Sequence, residues 1–335
     1  LCGEPVTSWS SADPTGLLDV RRFRYAASLL EQLGIDEQQL PRLVAPGTEA
    51  GRVTGAAAQE TALPAGLLVI AGGGDGHCAG LGAAVCAGGE VYLNLGTAVT
   101  LGVHSDRYLT GMAVRTLASP IAGRWTLEAA LASGVHSVEW FRSRVLRDRS
   151  TAALEALEAE AAVVPAGADG LLFLPYLVRA ETPYWDPAAR GAWVGLRDHH
   201  DLGHLYRALL EGIAYEQLTV LSMIEQETGS STHRQRLMGG GARSGLWVQL
   251  IADIFERPVE VTEHKETTAL GAAVLAAAGA GVADETDVMA TARRMSQGWR
   301  EVQPRADDRE RYRRAAGVYR ELYPALKEVF SQLAG

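Results

Sequence analysis

Apolar residues recur along this chain with two periods, and the switch between them marks out its elements. Short runs read as strands: Leu67–Ala71 (LLVIA), fully apolar, ending in glycine and expected to be buried, then Glu90–Leu95, Gly170–Leu177, Arg234–Met238 and Val259–Thr262. Further strand-like segments fill Glu90–Val103 and Gly111–Trp125, and Gly51–Thr54 reads as a short strand after a loop over Pro41–Gly51. A period near 3.6 predicts helices over Arg21–Leu33, with Asp19 as N-cap and Gly34 as C-cap, then Ala56–Thr61 and Leu127–Val145, the last with Trp140 and Phe141 on its apolar side. Leu205, Leu209, Ile213, Leu218, Leu221 and Ile224 form one stripe of a long helix over His204–Gly229. Small-residue patterns predict helices from Ala79 to Val85 and over Thr268–Ala280. Leu246–Phe255, the charged stretch Thr151–Ala162 and the last thirty residues complete the helical set. Strand, glycine turn and helix follow one another at Leu67–Val85 and again at Arg234–Phe255, which predicts two similar α/β units facing a shared cleft.

The chain's 335 residues suffice for two domains, and 47% hydrophobic with 21% charged residues is ordinary for a globular protein. A formal charge of -9 argues against general binding to nucleic acid or an anionic membrane surface. No apolar run reaches the ~18 residues needed to span a bilayer. Cys2, Cys78 and Cys86 form no CxxC pair, so neither a disulfide framework nor a zinc site is implied; Cys78 and Cys86 are expected as buried thiols, and a reducing cytoplasm fits this usage. The chain does not begin with Met, and Leu1 runs at once into what reads as mid-domain sequence.

The richest stretch is Ala71–Thr100. Gly72, Gly73 and Gly74 precede a single carboxylate, Asp75, and glycines there let backbone approach a ligand that a Cβ would block. Gly96–Thr97 lies between strand-like runs and offers two N–H groups and a hydroxyl, the donors a phosphate needs. A base beside a phosphate cradle suggests phosphoryl transfer to an alcohol. Taken alone, the stretch equally fits a glycine-rich packing element with a surface Asp. The loop Arg179–Leu196 holds two prolines, two tryptophans and two arginines, and a loop of that length is usually functional.

These segments resemble the FGGY family of carbohydrate kinases, most closely its xylulokinase-like branch. GGGD at Gly72–Asp75 resembles the segment carrying the catalytic aspartate, LNLGTAV at Leu93–Val99 the second phosphate loop, and ETPYWDPAARGAWVGL at Glu181–Leu196 the family's long loop. Gly191, Trp193, Gly195 and Leu196, then His204, Leu205, Ala208, Leu210 and Glu211, fit the signature of the family's C-terminal domain; Leu209 departs from it. Met238–Val259 looks like the adenosine-binding stretch and Thr268–Val282 like the helix after it. The resemblance implies an α/β fold of two ribonuclease-H-like domains of the actin and sugar-kinase type facing a cleft, the first one truncated. Residues 1–87 would be the C-terminal portion of the first domain and 88–335 the second, nucleotide-binding domain. The family's opening strand–turn–strand, which handles metal and phosphate, has no match here.

The activity implied is ATP-dependent phosphorylation of a small sugar, a ketopentose such as D-xylulose in first place, with Mg2+. Asp75 would be the general base, with Gly74 and His77 near the sugar. Gly96 and Thr97 would lie at the phosphates, Gly134 against the nucleotide, and Gly239, Gly240, Gly241 and Ser244 at the adenosine; no metal ligand is assigned. Gly76 stands where glycerol-phosphorylating members carry Gln, which disfavours glycerol. Each role has a bland counterpart: a turn-capping Asp, a helix-start His, a hairpin turn, a tight strand-to-helix turn. Ribulose, gluconate or another polyol, and a non-catalytic nucleotide-binding regulatory module of the same superfold, are the alternatives. A homodimer through the long helix stays open.

Overall fold

The computed structural model describes residues 1–264, 266–282 and 285–334. The first 82 residues build a small, irregular unit in chain order: β1 (Val6–Ser8), α1 (Trp9–Ala12), β2 (Leu18–Asp19), β3 (Arg24–Tyr25), α2 (Ala27–Leu33), β4 (Arg42–Val44), β5 (Glu49–Arg52), α3 (Gly55–Thr61), β6 (Leu68–Ile70) and α4 (Asp75–Gly82). Its strands pair only two by two, β1 with β4, β2 with β3 and β5 with β6. Accordingly β6 is half-buried, against the expectation of a fully buried strand. The helix expected from Arg21 starts only at Ala27, because Arg24–Tyr25 pairs with Leu18–Asp19. Asp19 is therefore a strand residue whose carboxylate holds Arg22 at 2.8 Å, while Gly34 does end α2 in the left-handed conformation. Strands also occupy most of the segment expected as loop over Pro41–Gly51.

The second unit continues with β7 (Glu90–Leu95), β8 (Val99–Ser105), β9 (Arg115–Ala118), β10 (Trp125–Leu131), α5 (Val135–Trp140, running on as a π-turn through Leu146), α6 (Thr151–Val163), β11 (Leu172–Leu174), β12 (Ala192–Val194), α7 (Leu202–Thr228), β13 (Arg234–Met238), α8 (Gly245–Phe255), β14 (Val259–Thr262), α9 (Thr267–Gly279), α10 (Val288–Met295), β15 (Trp299–Val302) and α11 (Arg309–Ala334). Seven strands make one sheet in the order β15-β14-β13-β7-β8-β10-β9. The strands β7, β8 and β10 run as an antiparallel meander, and β13 and β14 lie parallel to β7 beyond it, as a ribonuclease-H-like domain requires. Leu127–Leu131, most of β10, was expected to open a helix. Its Leu, Glu and Ala favour one, but pairing with both β8 and β9 overrides that preference. β15 and α10 are additions that the apolar pattern did not mark.

Alternation along the strands sorts the two faces of the sheet. Val91, Leu93, Leu95, Val99, Leu101, Val103, Leu127, Ala129 and Leu131 join the main core with α7 and α8. The intervening residues, among them Tyr92, Asn94, Thr100, Gly102, Thr126 and Glu128, face the other way, toward α4. On that side α4 crosses α9 with backbone almost touching backbone. A Cβ on Gly82 would lie 1.8 Å from the carbonyl oxygen of Thr267, and one on Gly271 1.9 Å from that of Cys78. Small residues at the crossing thus attach the first unit to the second. Cys78 and Cys86 are both buried as expected, though Cys86 lies beyond the end of α4; burial pushes its thiol up to about 12. No helix among the described residues is long and apolar enough to cross a membrane.

Candidate functional site

Gly72–Gly74 bring the chain off β6 and into α4, and Asp75 is the first residue of that helix. Its carboxylate is exposed and accepts the Gly76 N–H at 2.7 Å. Gly74 is demanded by packing, since a Cβ there would lie 2.8 Å from His77 Nδ1. His77 itself points inward: it is buried, with Nε2 3.6 Å from Asp13 Oδ2. Asp13 in turn accepts the Ala118 N–H of β9 at 2.8 Å, so this group pins the start of α4 to the large sheet. Below Gly76 lies Glu128, buried on β10, which accepts from the Tyr92 hydroxyl at 2.9 Å and from Arg115 Nε at 2.9 Å. Tyr92 fits there because Gly80 and Gly102 leave room for its ring.

Glu128 pairs across the ladder with Gly102, and Leu131 with Val99 at the end of the hairpin. Three residues of strand, ~10 Å, therefore separate the level of Asp75 from the Gly96–Thr97 turn. Along that path the alternation presents Asn94 and Thr100, which face one another across β7 and β8 and are half-exposed. Both lie on a polar strip that the period of two already marks out, and neither was singled out from the sequence.

The turn Gly96–Ala98 is buttressed from behind. The Val135 N–H donates to Gly96 O at 2.9 Å and the His136 N–H to Thr97 O at 3.1 Å. Gly134, the residue before α5, has to be glycine, because a Cβ would lie 2.5 Å from Val99 Cγ2. With their carbonyls so occupied, Gly96 and Thr97 keep their N–H groups without a partner among the described residues, and Thr97 is exposed.

Met238 pairs with Asn94, so the Gly239–Gly241 turn emerges beside the hairpin at the carboxyl ends of parallel strands, where open α/β sheets bind ligands. The three glycines differ in what demands them. Gly239 has φ +87° and would set a Cβ 2.5 Å from Asn94 Oδ1; Gly241 would set one 2.6 Å from the Trp247 ring. A Cβ on Gly240 would meet nothing within 4 Å. Gly240 lines a cavity of about 310 Å³ with Met238, Gly239, Ala242, Arg243, Thr262, Glu263 and His264. Of these, Arg243 lay in the expected adenosine-binding stretch without being singled out, while Thr262, Glu263 and His264 escaped as site residues; they stand at the carboxyl end of β14, the signal that places them. Ser244 is not in this lining. Its hydroxyl caps α8 by accepting the Trp247 N–H at 3.2 Å.

The long loop Arg179–Leu196 serves mainly to brace. Thr182 Oγ1 bonds both the N–H and the carbonyl of Ala130, Arg190 bonds carbonyls of its own turn, and Trp193 packs against Phe173 with ring centroids 4.5 Å apart. A larger cavity, about 530 Å³ between residues 165–172 and α11, lies away from all of this and brings no carboxylate to the glycine turns.

Comparison with known proteins gives the same picture. The profile of the FGGY family of carbohydrate kinases matches over residues 91–280 with its C-terminal domain and over 1–82 with its N-terminal domain. The chain belongs to the FGGY family of carbohydrate kinases. It is 30% identical over 333 residues to a xylulose kinase of Bacillus subtilis, covering 98% of this chain and 65% of that protein, and 28% identical to a gluconokinase of the same organism, covering 100% and 66%. The crystal structure of xylulose kinase from Rhodospirillum rubrum superimposes with a TM-score of 0.87 at 29% identity, over 99% of this chain and 66% of that one. The chain thus spans less than two thirds of the length of that Bacillus subtilis xylulose kinase. The likeness to xylulose kinases agrees with the branch expected from the sequence.

Proposed function

We propose that the protein of which this chain is part transfers the γ-phosphoryl group of ATP to a hydroxyl of a small sugar, a ketopentose such as D-xylulose, with Asp75 as general base. The observation that carries this reading is the polar strip of sheet running from beneath Asp75, past Asn94 and Thr100, to the free N–H groups of Gly96 and Thr97. Asp75 would accept the sugar hydroxyl's proton as the phosphoryl group arrives, a contribution of roughly 10²–10⁴-fold. Gly96, Thr97 and Gly134 would form the phosphate end, and Gly239–Gly241 the adenosine end, with Gly240 as the position that fold alone does not require to be glycine. Arg243 and His264 would border the nucleotide. Side chains facing this strip offer mostly oxygen donors, the set a hard cation takes, so they suit phosphate-bound Mg2+, which would neutralise charge on the transferring group. Ser244 and His77 would act through placement of α8 and α4.

In this division residues 1–87 form part of a sugar-binding domain and 88–335 the nucleotide domain. Closure of the two would exclude water, so that the sugar hydroxyl and not water attacks. The substrate competes among ketopentoses, gluconate and other polyols, because a few cleft side chains set it. The test is ADP release by the full-length protein with ATP and Mg2+ across ketoses, polyols and sugar acids. Turnover with one ketopentose well above the sugar-free rate is expected. A sugar-independent rate would instead support a nucleotide-binding regulatory module and remove Asp75 as the base.

A further inference from the structure

Asp169 and His199 lie thirty positions apart in sequence, and the antiparallel pair β11–β12 brings them together. The approach is close: a Cβ on Gly195 would lie 2.4 Å from Gly170 O. Asp169 also sits on an uncommon backbone. Gly167, Ala168, Asp169 and Gly170 all have positive φ, with Ala168 at 46° and Asp169 at 52°. Such a run in non-glycine residues persists only where its surroundings hold it, and it is found preferentially at functional sites. Here it delivers a carboxylate to two adjacent imidazoles. Asp169 Oδ2 is 2.9 Å from His199 Nε2, and one donor atom each from Asp169, His199 and His200 lies within 4.8 Å of the others. Asp198 Oδ1 stands 3.7 Å behind His199 Nδ1. His200 Nε2 is buried without a hydrogen-bond partner among the described residues, while its Nδ1 accepts the Arg197 N–H at 3.0 Å.

We propose that Asp169, His199 and His200 bind one divalent transition-metal ion of the zinc type, at a site separate from the phosphoryl-transfer cleft. Two imidazoles and one carboxylate suit Zn2+, Co2+, Ni2+ or Cu2+ and are a poor set for Mg2+. Asp198 acts as the outer carboxylate that orients a ligating histidine. For a neutral His199, binding through Nε2 places the ring's one proton on Nδ1, on the side of Asp198, and Asp169 turns its carboxylate to the ion. Coordination through His200 Nε2 places that ring's proton on Nδ1, so the turn gives up its Arg197 bond. Water fills the remaining positions. The ion would tie the loop before β11 to the turn that opens α7.

The test uses the purified protein stripped with EDTA and titrated with Co2+, read by visible absorption, and with Zn2+, read by calorimetry. One equivalent is expected to bind. Asp169→Asn and His200→Ala should each weaken binding by about tenfold or more, and the double variant H199A/H200A should lose it. Asp169 is exposed, so the melting curve of D169N without metal should match that of the unaltered protein, and a Zn2+-induced rise in melting temperature should shrink in D169N and vanish in H199A/H200A. Unchanged Zn2+ affinity in H199A/H200A, or no binding to the unaltered protein up to about 100 µM Zn2+, overturns the proposal.

Discussion

Three consecutive glycines, Gly239, Gly240 and Gly241, look alike in sequence and do different things. Gly239→Ala combines a left-handed backbone with a clash into Asn94 and Leu95, and should cost about 1–3 kcal/mol in a urea melt. Gly240→Ala meets open space and should melt within about 0.5 kcal/mol of the parent, yet weaken ATP binding measured by calorimetry, because the new methyl enters the cavity. Equal effects at both positions would assign all three glycines to the turn. Asp75 allows the complementary test. Asp75→Asn in the full-length protein should leave ATP binding intact and lower kcat by about 10²-fold or more. That glycines and an exposed Asp stand at these positions was legible from the sequence; which glycine serves packing was not, since that depends on Trp247 and Leu95, remote or separate in the chain. His77 shows the same limit, as its inward turn depends on Asp13.

Among the elements, α4 and α9 depend most on one another. Their crossing brings Gly82 against Thr267 and Gly271 against Cys78 at distances no side chain tolerates. Gly271→Ala should separate the helices, cost upward of about 3 kcal/mol and loosen the start of α4. Hydrogen exchange across residues 75–85 should rise, and turnover in the full-length protein should fall although residue 271 touches no substrate. The small-residue patterns announced both helices. Strand β10 was misread because its composition suits a helix while its hydrogen bonds lie with β9, just before it, and with β8 further back. The same reason hid β2, β3 and β15, short strands defined by their partners alone.

The molecule as a whole carries buried acids that make its stability depend on pH. Glu216, on α7, is fully buried and accepts from the hydroxyls of Tyr176 and Tyr319 at 2.9 Å and 2.8 Å, with no cation among its partners in the described residues. Burial pushes it up to about 7 from 4.5, partly opposed by those hydroxyls. Nearby Glu211 is also raised by burial, against the pull of Arg207 at 2.7 Å. A carboxyl whose folded value exceeds its unfolded one holds its proton longer in the folded state. Its stabilisation is complete below about 4.5 and is lost as pH rises through about 7, with a slope of up to ~1.4 kcal/mol per pH unit. Melting temperature should therefore fall between pH 5 and 7.5, and Glu216→Gln should flatten that decline. A decline as steep in the variant would place the titration elsewhere.

Local order, much of the strand and helix set of the second unit and the identity of the functional segments could be read from the chain in isolation, because periodicity, glycine placement and short motifs act over a few residues. The polar strip of Asn94 and Thr100 between the level of Asp75 and the Gly96–Thr97 hairpin, the division of labour among the glycines and the gathering of Asp169 with His199 and His200 came from the folded chain alone. Each is set by strand register and by helices crossing on one face of a sheet, and those contacts join residues that no local pattern connects.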